Sequence, residues 1–188
     1  RSIFVAAMTS VAIAVSMPAL AAGGGGSMEQ PQSKPVDANY TRAKAMIEAK
    51  DYKNAVPLLQ QVVAKDPRNA DAYNLMGFAT RKSGDAAGSL PYYQQALAID
   101  PNAGLFYFHL GNACEAAQQH SRAEKAFRKA AELKPDWAEA FYNLGNTQTT
   151  LKKTDQAKES FLKAIALKPD HILAHNNLAH LYTKTPDY

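Results

Sequence analysis

The sequence predicts an all-α solenoid built from a repeated pair of antiparallel helices, and three observations support this fold class. Prolines recur at intervals of 34 residues, at Pro67, Pro101, Pro135 and Pro169. Small residues stand at the same two places in each interval, and a bulky residue stands at a third. Apolar residues within each interval are spaced by three and four, which places them on one face of a helix. One such helix pair cannot bury its apolar face alone, so neighbouring pairs must stack.

A frame that puts these prolines at position 32 divides the chain into four full repeats and a partial fifth. The full repeats are 36–69, 70–103, 104–137 and 138–171, and the partial repeat is 172–188. The small residues at position eight are Ala43, Gly77, Gly111 and Gly145, and those at position twenty are Ala55, Ser89, Ala123 and Ala157. The bulky residues at position 24 are Leu59, Tyr93, Phe127 and Phe161. We expect the small residues to let the two helices of a repeat approach closely.

This order of residues resembles the tetratricopeptide repeat (TPR) family, whose pattern is an aromatic residue, Leu-Gly, Tyr, then Ala, Phe, Ala and Pro. Residues 138–169, AEAFYNLGNTQTTLKKTDQAKESFLKAIALKP, carry the pattern most closely, and residues 104–135 do so nearly as well. The resemblance covers residues 36–188 and implies a right-handed TPR solenoid of helix-turn-helix repeats. Repeat one departs from the pattern at Asn39 and Arg42, so its first helix is predicted to cap the stack.

The segment at residues 1–22 has a different character. Arg1 precedes the uncharged run IFVAAMTSVAIAVSMPALAA, which ends at the small-residue site Ala19-Leu20-Ala21. A basic start, an apolar run and such a site are typical of a secretory signal peptide. This predicts a bacterial periplasmic or secreted protein with no stable membrane anchor after processing. A transmembrane anchor is the alternative, but it would need about 20 apolar residues and this run is only weakly hydrophobic.

Residues 23–35 are predicted to be a Gly- and Pro-rich linker. Its first five residues, Gly23 to Ser27, spell GGGGS, and Met28 follows like a start codon. This leaves a second alternative, in which residues 1–27 are an engineered fusion that tethers a ligand peptide to the repeat domain. In that case the repeat domain would be cytoplasmic.

Composition and motifs argue against several classes of function. The net charge is +4, and acids alternate with bases along the chain, so no nucleic-acid partner is predicted. The single cysteine, Cys114, rules out an internal disulfide framework and a Cys-based zinc cluster, and it is predicted to be a buried core residue. The sequence has no GxxxxGK[ST], HExxH, GxSxG or GxGxxG motif. We therefore predict a protein that is not an enzyme and has neither a cofactor nor a metal site.

The resemblance implies that ligands bind in a concave groove lined by the first helices, at positions two, five, nine and twelve. The predicted peptide-binding residues are Asn74, Phe78, Phe108, Asn112, Tyr142, Asn146 and Asn176. Exposed aromatic residues are typical binding anchors, and an amide can both donate to and accept from a peptide backbone. The alternative is that the aromatic rings pack against adjacent helices.

The chemistry of this groove predicts the kind of ligand. Chaperone-binding members of the family hold an acidic tail with a clamp of Lys, Asn and Arg. At matching places this sequence has Tyr40 and Lys44 in repeat one and Leu105 and His109 in repeat three, so most of the clamp cations are missing. An apolar or amphipathic peptide or a partner protein is therefore the predicted ligand.

The predicted function is a non-enzymatic scaffold for protein–protein interaction, with a role in envelope complex assembly that rests on family analogy. The competing class is an accessory domain or fragment of a larger enzyme or transport assembly. The fifth repeat has a first helix only, because the sequence stops at Tyr188. Self-association through this open C-terminal end is a third alternative.

Overall fold

The computed structural model describes residues 37–184, and this part of the chain forms nine α-helices, in which successive helices pack against each other. The helices are α1 (Ala38–Glu48), α2 (Tyr52–Lys65), α3 (Ala70–Lys82), α4 (Ala86–Ile99), α5 (Gly104–Ala116), α6 (His120–Leu133), α7 (Ala138–Thr150), α8 (Thr154–Leu167) and α9 (Ile172–Lys184). Odd-numbered helices are the first helices of the repeats, and even-numbered helices are the second. The all-α fold class predicted from the sequence is thus confirmed. The segment 1–22 and the linker 23–35 lie outside the described residues.

Side-chain caps start several of these helices. The carboxylate of Asp37 accepts from the backbone N–H groups of Asn39 and Tyr40, at 2.7 and 3.3 Å. Asn69 and Asp85 cap α3 and α4 in the same way. These oxygens satisfy N–H groups that have no partner inside the helix. Each helix in this part of the chain is too short or too polar to span a bilayer.

The glycines at position eight explain how closely the two helices of a repeat approach. A Cβ atom at Gly77, Gly111 or Gly145 would lie 2.8, 2.6 or 2.7 Å from the aromatic ring at position 24 of the same repeat. Real Cβ atoms do not come so close to a ring, so an aromatic residue at position 24 requires glycine at position eight. Repeat one has Ala43 and Leu59 at these places, and both are buried. The predicted close approach of the helices is confirmed, and the two positions vary together.

The turn between the two helices of each repeat contains a residue with a left-handed backbone at position fifteen. The φ angles are 63° at Lys50, 100° at Gly84, 57° at Gln118 and 59° at Lys152. In repeat four the backbone N–H of Lys153 donates to the carbonyl of Gln148 at 2.8 Å, which closes the end of α7. The chain therefore reverses in the same way in every repeat, although only repeat two has a glycine there.

Candidate functional site

The first helices carry the predicted binding residues on one side. At about 100° per residue, positions two, five, nine and twelve fall on the same face of a helix. We call this surface of α3, α5, α7 and α9 the inner face. Its members include Asn74, Phe78, Arg81, Leu105, Phe108, Asn112, Tyr142, Asn146, Thr149, Asn176 and His180.

Asparagine side chains link consecutive repeats along the inner face. Asn143 Nδ2 donates to Asn112 Oδ1 at 3.3 Å, and one repeat further on Asn177 Nδ2 donates to Asn146 Oδ1 at 2.7 Å. The sequence prediction identified the two acceptors but missed the two donors, which recur at position six. Within residues 37–184, Nδ2 of Asn112 and of Asn146 has no hydrogen-bond partner. Each pair therefore retains an amide donor for a ligand.

Between repeats two and three, position six is His109, and its partner is Asn74 at position five of the repeat before it. Asn74 is only 4% exposed, and its Oδ1 lies 2.8 Å from His109 Nδ1. Because Oδ1 can only accept, Nδ1 carries the proton and donates. Burial, assisted by the Arg81 guanidinium, lowers the pKa of His109 to about 4, so the ring is neutral at pH 7. Asn74 is therefore buried and is not available for direct contact with a ligand. Its amide oxygen instead accepts the hydrogen bond from His109.

The three predicted aromatic anchors are half-buried. Each ring contacts an aromatic residue of a neighbouring helix or turn. The ring pairs, with their centroid separations, are Phe78 and Tyr52 (6.1 Å), Phe108 and Trp137 (4.3 Å), and Tyr142 and His171 (4.7 Å). The alternative that these rings pack against adjacent helices therefore holds for part of each ring. Two leucines at position two of this face are more open, Leu105 at 40% exposure and Leu173 at 56%.

A cavity of about 260 Å³ lies beside the second asparagine pair. Its lining residues are Asn146, Thr149, Thr150, Asn177, His180 and Leu181. They come from α7 and α9, so the cavity lies between two consecutive first helices. The cavity is large enough for one side chain of a ligand next to the amide donor of Asn146. Asn176 is exposed on the same helix as Asn177.

The inner face has little positive charge. Among positions two, five, nine and twelve of α3, α5, α7 and α9, Arg81 is the one Lys or Arg. Its guanidinium lies 5.5 Å from the centre of the Phe78 ring. Glu115 is engaged on both oxygens, by Thr147 Oγ1 at 2.7 Å and by His120 Nδ1 at 3.1 Å. Asp71 and Glu139 are also acidic, so this distribution suits a ligand that is not anionic.

The remaining reactive side chains are held in structural contacts. Cys114 is buried, which confirms the prediction for this residue, and burial raises the pKa of its thiol. A thiol in such surroundings is a poor nucleophile. His171 Nδ1 accepts from the backbone N–H of Ala174 at 3.3 Å, and His175 Nε2 donates to the Pro169 carbonyl at 2.9 Å. Residues 37–184 contain no cluster of three His, Cys, Asp or Glu side chains that could hold a metal ion.

Solved structures share this fold over two thirds or more of their own length. MamA 41-end from Desulfovibrio magneticus RS-1 superposes with a TM-score of 0.73 at 18% identity, covering 78% of this chain and 82% of that chain. A Pseudomonas aeruginosa pilF structure gives 0.71 at 23% identity, covering 79% and 68%. YrrB, described as a TPR protein with an unusual peptide-binding site, gives 0.68 at 27% identity, covering 74% and 72%.

Comparison with models of protein families identifies the family to which this chain belongs. No curated protein matches the chain closely enough to count as a relative. Three models described as tetratricopeptide repeat match residues 40–104, 81–147 and 138–171. Together these matches run from residue 40 to residue 171, so the chain belongs to the tetratricopeptide repeat family.

Proposed function

We propose that this protein is a non-enzymatic scaffold that binds an extended, apolar or amphipathic peptide segment of a partner protein on its inner face. The observation that carries the proposal is the repeated asparagine pair. Asn112 and Asn146 each have an amide N–H group available, and they are equivalent residues one repeat apart. An extended peptide rises about 3.3 Å per residue, and neighbouring packed helices lie about 8–10 Å apart. Backbone carbonyls a few residues apart in one ligand can therefore accept from the amides of successive repeats.

The apolar part of the inner face would hold the side chains of the ligand. Leu105 and the open edges of Phe108 and Tyr142 lie on the same helix faces as the asparagine pairs. His109 is neutral at pH 7, and Arg81 is the one fixed cation of the face. An acidic tail would find few cations to pair with on this face, whereas an apolar side chain would be stabilised there by its removal from water.

The comparison with YrrB also supports a peptide ligand. That protein is described as having a peptide-binding site, and it is 27% identical to this chain over 74% of this chain. The other two structures share the fold at lower identity and add no argument about the ligand. The class of ligand thus rests on this chain's own side chains together with one related structure.

We also infer that the protein is exported and works in the assembly of envelope complexes. The support is the sequence of residues 1–22, with its basic start, apolar run and A-x-A site. Expression in a bacterial host should give a periplasmic product whose mass corresponds to cleavage after Ala21 or Ala22. A cytosolic product that retains Arg1 would contradict export and favour the tethered-peptide alternative.

Peptide binding can be tested with peptides selected from a random-peptide library on the full chain. Asn112→Ala and Asn146→Ala should each weaken a selected peptide at least tenfold, which corresponds to about 1.4 kcal/mol. Asn102→Ala is the matched control, because Asn102 is exposed in the turn before α5 and outside the inner face. Affinity should change little with ionic strength, since uncharged groups make the contacts. Unchanged affinity in both inner-face variants, or binding abolished by salt, would contradict the proposal.

A further inference from the structure

A second cleft lies on the opposite side of the first helices, between α6 and α8. It has a volume of about 420 Å³, and α7 supplies its floor with Phe141, Leu144 and Gln148. These are positions four, seven and eleven, which at about 100° per residue point away from positions two, five, nine and twelve. We call this space the outer cleft. It is separate from the inner face and shares none of the residues proposed there to bind peptide.

Two of the side chains that line the outer cleft are small, which makes it larger than the equivalent space one repeat earlier. At position 28 the four full repeats have Val63, Leu97, Ala131 and Ile165. Only repeat three lacks a branched side chain there, and Ala131 lines the cleft. Position 23 of the following repeat is Ser160, where repeats one and two have Leu58 and Tyr92 and repeat three has Ala126. The two small side chains leave open the volume that larger residues occupy elsewhere in the solenoid.

A smaller cavity stands at the same place one repeat earlier. It has a volume of about 210 Å³ and is lined by Tyr107, Leu110 and Cys114, again positions four, seven and eleven of a first helix. There the preceding repeat supplies Leu97 at position 28. Two cavities in equivalent positions suit a ligand that is itself a chain with regularly spaced side chains.

The floor of the outer cleft carries an unused hydrogen-bond donor. Gln148 is only 2% exposed, and its Oε1 accepts from Ser160 Oγ at 2.7 Å. Its Nε2 has no hydrogen-bond partner within residues 37–184. A ligand that displaces water from the cleft must therefore supply an acceptor, because a buried donor without a partner is costly.

The charges around the outer cleft balance. Arg128 and Lys163 contribute two positive charges at its rim, and Glu132 and Glu159 contribute two negative charges. Arg128 is also engaged by Glu124, at 2.8 Å. The rim therefore favours neither an anionic nor a cationic group, and the walls of Phe141, Leu144 and Ala131 favour an apolar one.

We propose that the outer cleft binds a bulky apolar side chain of a partner peptide, with a neighbouring backbone carbonyl of that peptide accepting from Gln148 Nε2. The apolar side chain fills the volume that Ala131 leaves open. The carbonyl satisfies the amide donor. The protein then has a second peptide-binding surface, on the side of the first helices opposite to the inner face.

The probe for this site is N-acetyl-phenylalaninamide, which has one aromatic side chain and blocked backbone groups. It is titrated into the full chain while the methyl resonances of alanine and leucine residues are followed by NMR. We expect saturable shifts at Leu144 and Ala131. Ala131→Leu should weaken the binding at least tenfold, measured at Leu144, because it fills the cleft with the residue that repeat two has at this position. Because Ala131 is only 4% exposed, the thermal unfolding midpoint of the variant is measured alongside to show that it remains folded at the temperature of the titration.

Matched variants separate this proposal from the one for the inner face. Ala166→Leu makes the same change at an exposed site on α8 and should leave probe binding unchanged, as should Asn112→Ala on the inner face. The pair Gln148→Met and Ser160→Ala removes the donor together with its own partner, and should weaken binding several-fold. Unchanged probe binding in Ala131→Leu, or the absence of a saturable shift at Leu144 in the wild type, would overturn the proposal.

Discussion

Gly145→Ala is expected to destabilise the protein by about 1–3 kcal/mol, the usual range for adding a methyl group to a filled core. The new Cβ would lie 2.7 Å from the ring of Phe161, which is itself buried. Helix propensity alone predicts the opposite sign, since alanine is better than glycine inside a helix by about 1 kcal/mol. The sign of the change in the free energy of unfolding, measured by urea denaturation, therefore decides between the two effects.

A double variant tests whether Phe161 is the cause. Gly145→Ala combined with Phe161→Leu recreates the pair that repeat one has at Ala43 and Leu59. The double variant should be more stable than the sum of the two single changes predicts, by about 1 kcal/mol or more. Strictly additive effects, or a Gly145→Ala variant more stable than the wild type, would show that the ring does not require glycine.

Stability should fall as the pH is lowered from about 6.5 to about 4, because of His109. Burial, and secondarily the Arg81 guanidinium, lowers the pKa of this histidine to about 4 in the folded protein. In the unfolded chain the pKa is about 6.5, so above that value both states are neutral and His109 contributes no pH dependence. Below it the unfolded state binds the proton first. The free energy of unfolding then falls by up to about 3 kcal/mol.

His109→Asn should remove this pH dependence. Asparagine is the residue at the same position in the next two repeats, as Asn143 and Asn177, so the variant suits the repeat. His180→Asn is the control, because His180 is exposed. Urea denaturation between pH 5 and pH 6.5 measures the slope for each variant. An unchanged slope in His109→Asn would contradict the assignment of the effect to this residue.

This pH window separates His109 from the buried carboxylate of Glu124. Burial raises the pKa of Glu124, but hydrogen bonds from Lys153 at 2.6 Å and Arg128 at 2.8 Å outweigh it, and the net pKa is lowered. A carboxyl with a lowered pKa contributes stability above its unfolded value, and loses it as the pH falls through the folded value. The unfolded value for glutamate is about 4.3, so Glu124 acts below the window in which His109 titrates.

The sequence predicted the helices because their determinants repeat. Pro135 and Pro169 follow the second helices α6 and α8, and Gly111 and Gly145 mark the contact between the two helices of a repeat. Each of these features depends on residues within one repeat, so the 34-residue period reveals it. The burial of Cys114 followed from the same frame.

Contacts between repeats were harder to predict. The hydrogen bond from Asn143 to Asn112 joins position six of one repeat to position nine of the repeat before it. A pattern found within single repeats does not reveal which positions of neighbouring repeats contact each other. His109 interrupts the pattern, which conceals the recurrence of asparagine at position six. The outer cleft depends on the small size of the Ala131 side chain. Comparing position 28 across the repeats could have revealed it, but only after the structure identifies which side chains fill that space.

The inner face is tested most directly by observing the asparagine side chains while a library-selected peptide binds. The Nδ2 amide resonances of Asn112 and Asn146 are followed by NMR as the peptide is added to the full chain, with the Ala131 methyl group as an internal reference for the outer cleft. We expect both asparagine resonances to shift with one dissociation constant, and Asn112→Ala to weaken the binding reported by Asn146. If the shifts were confined to Ala131 and its neighbours while both amide resonances stayed fixed, the inner face would not be the peptide-binding site.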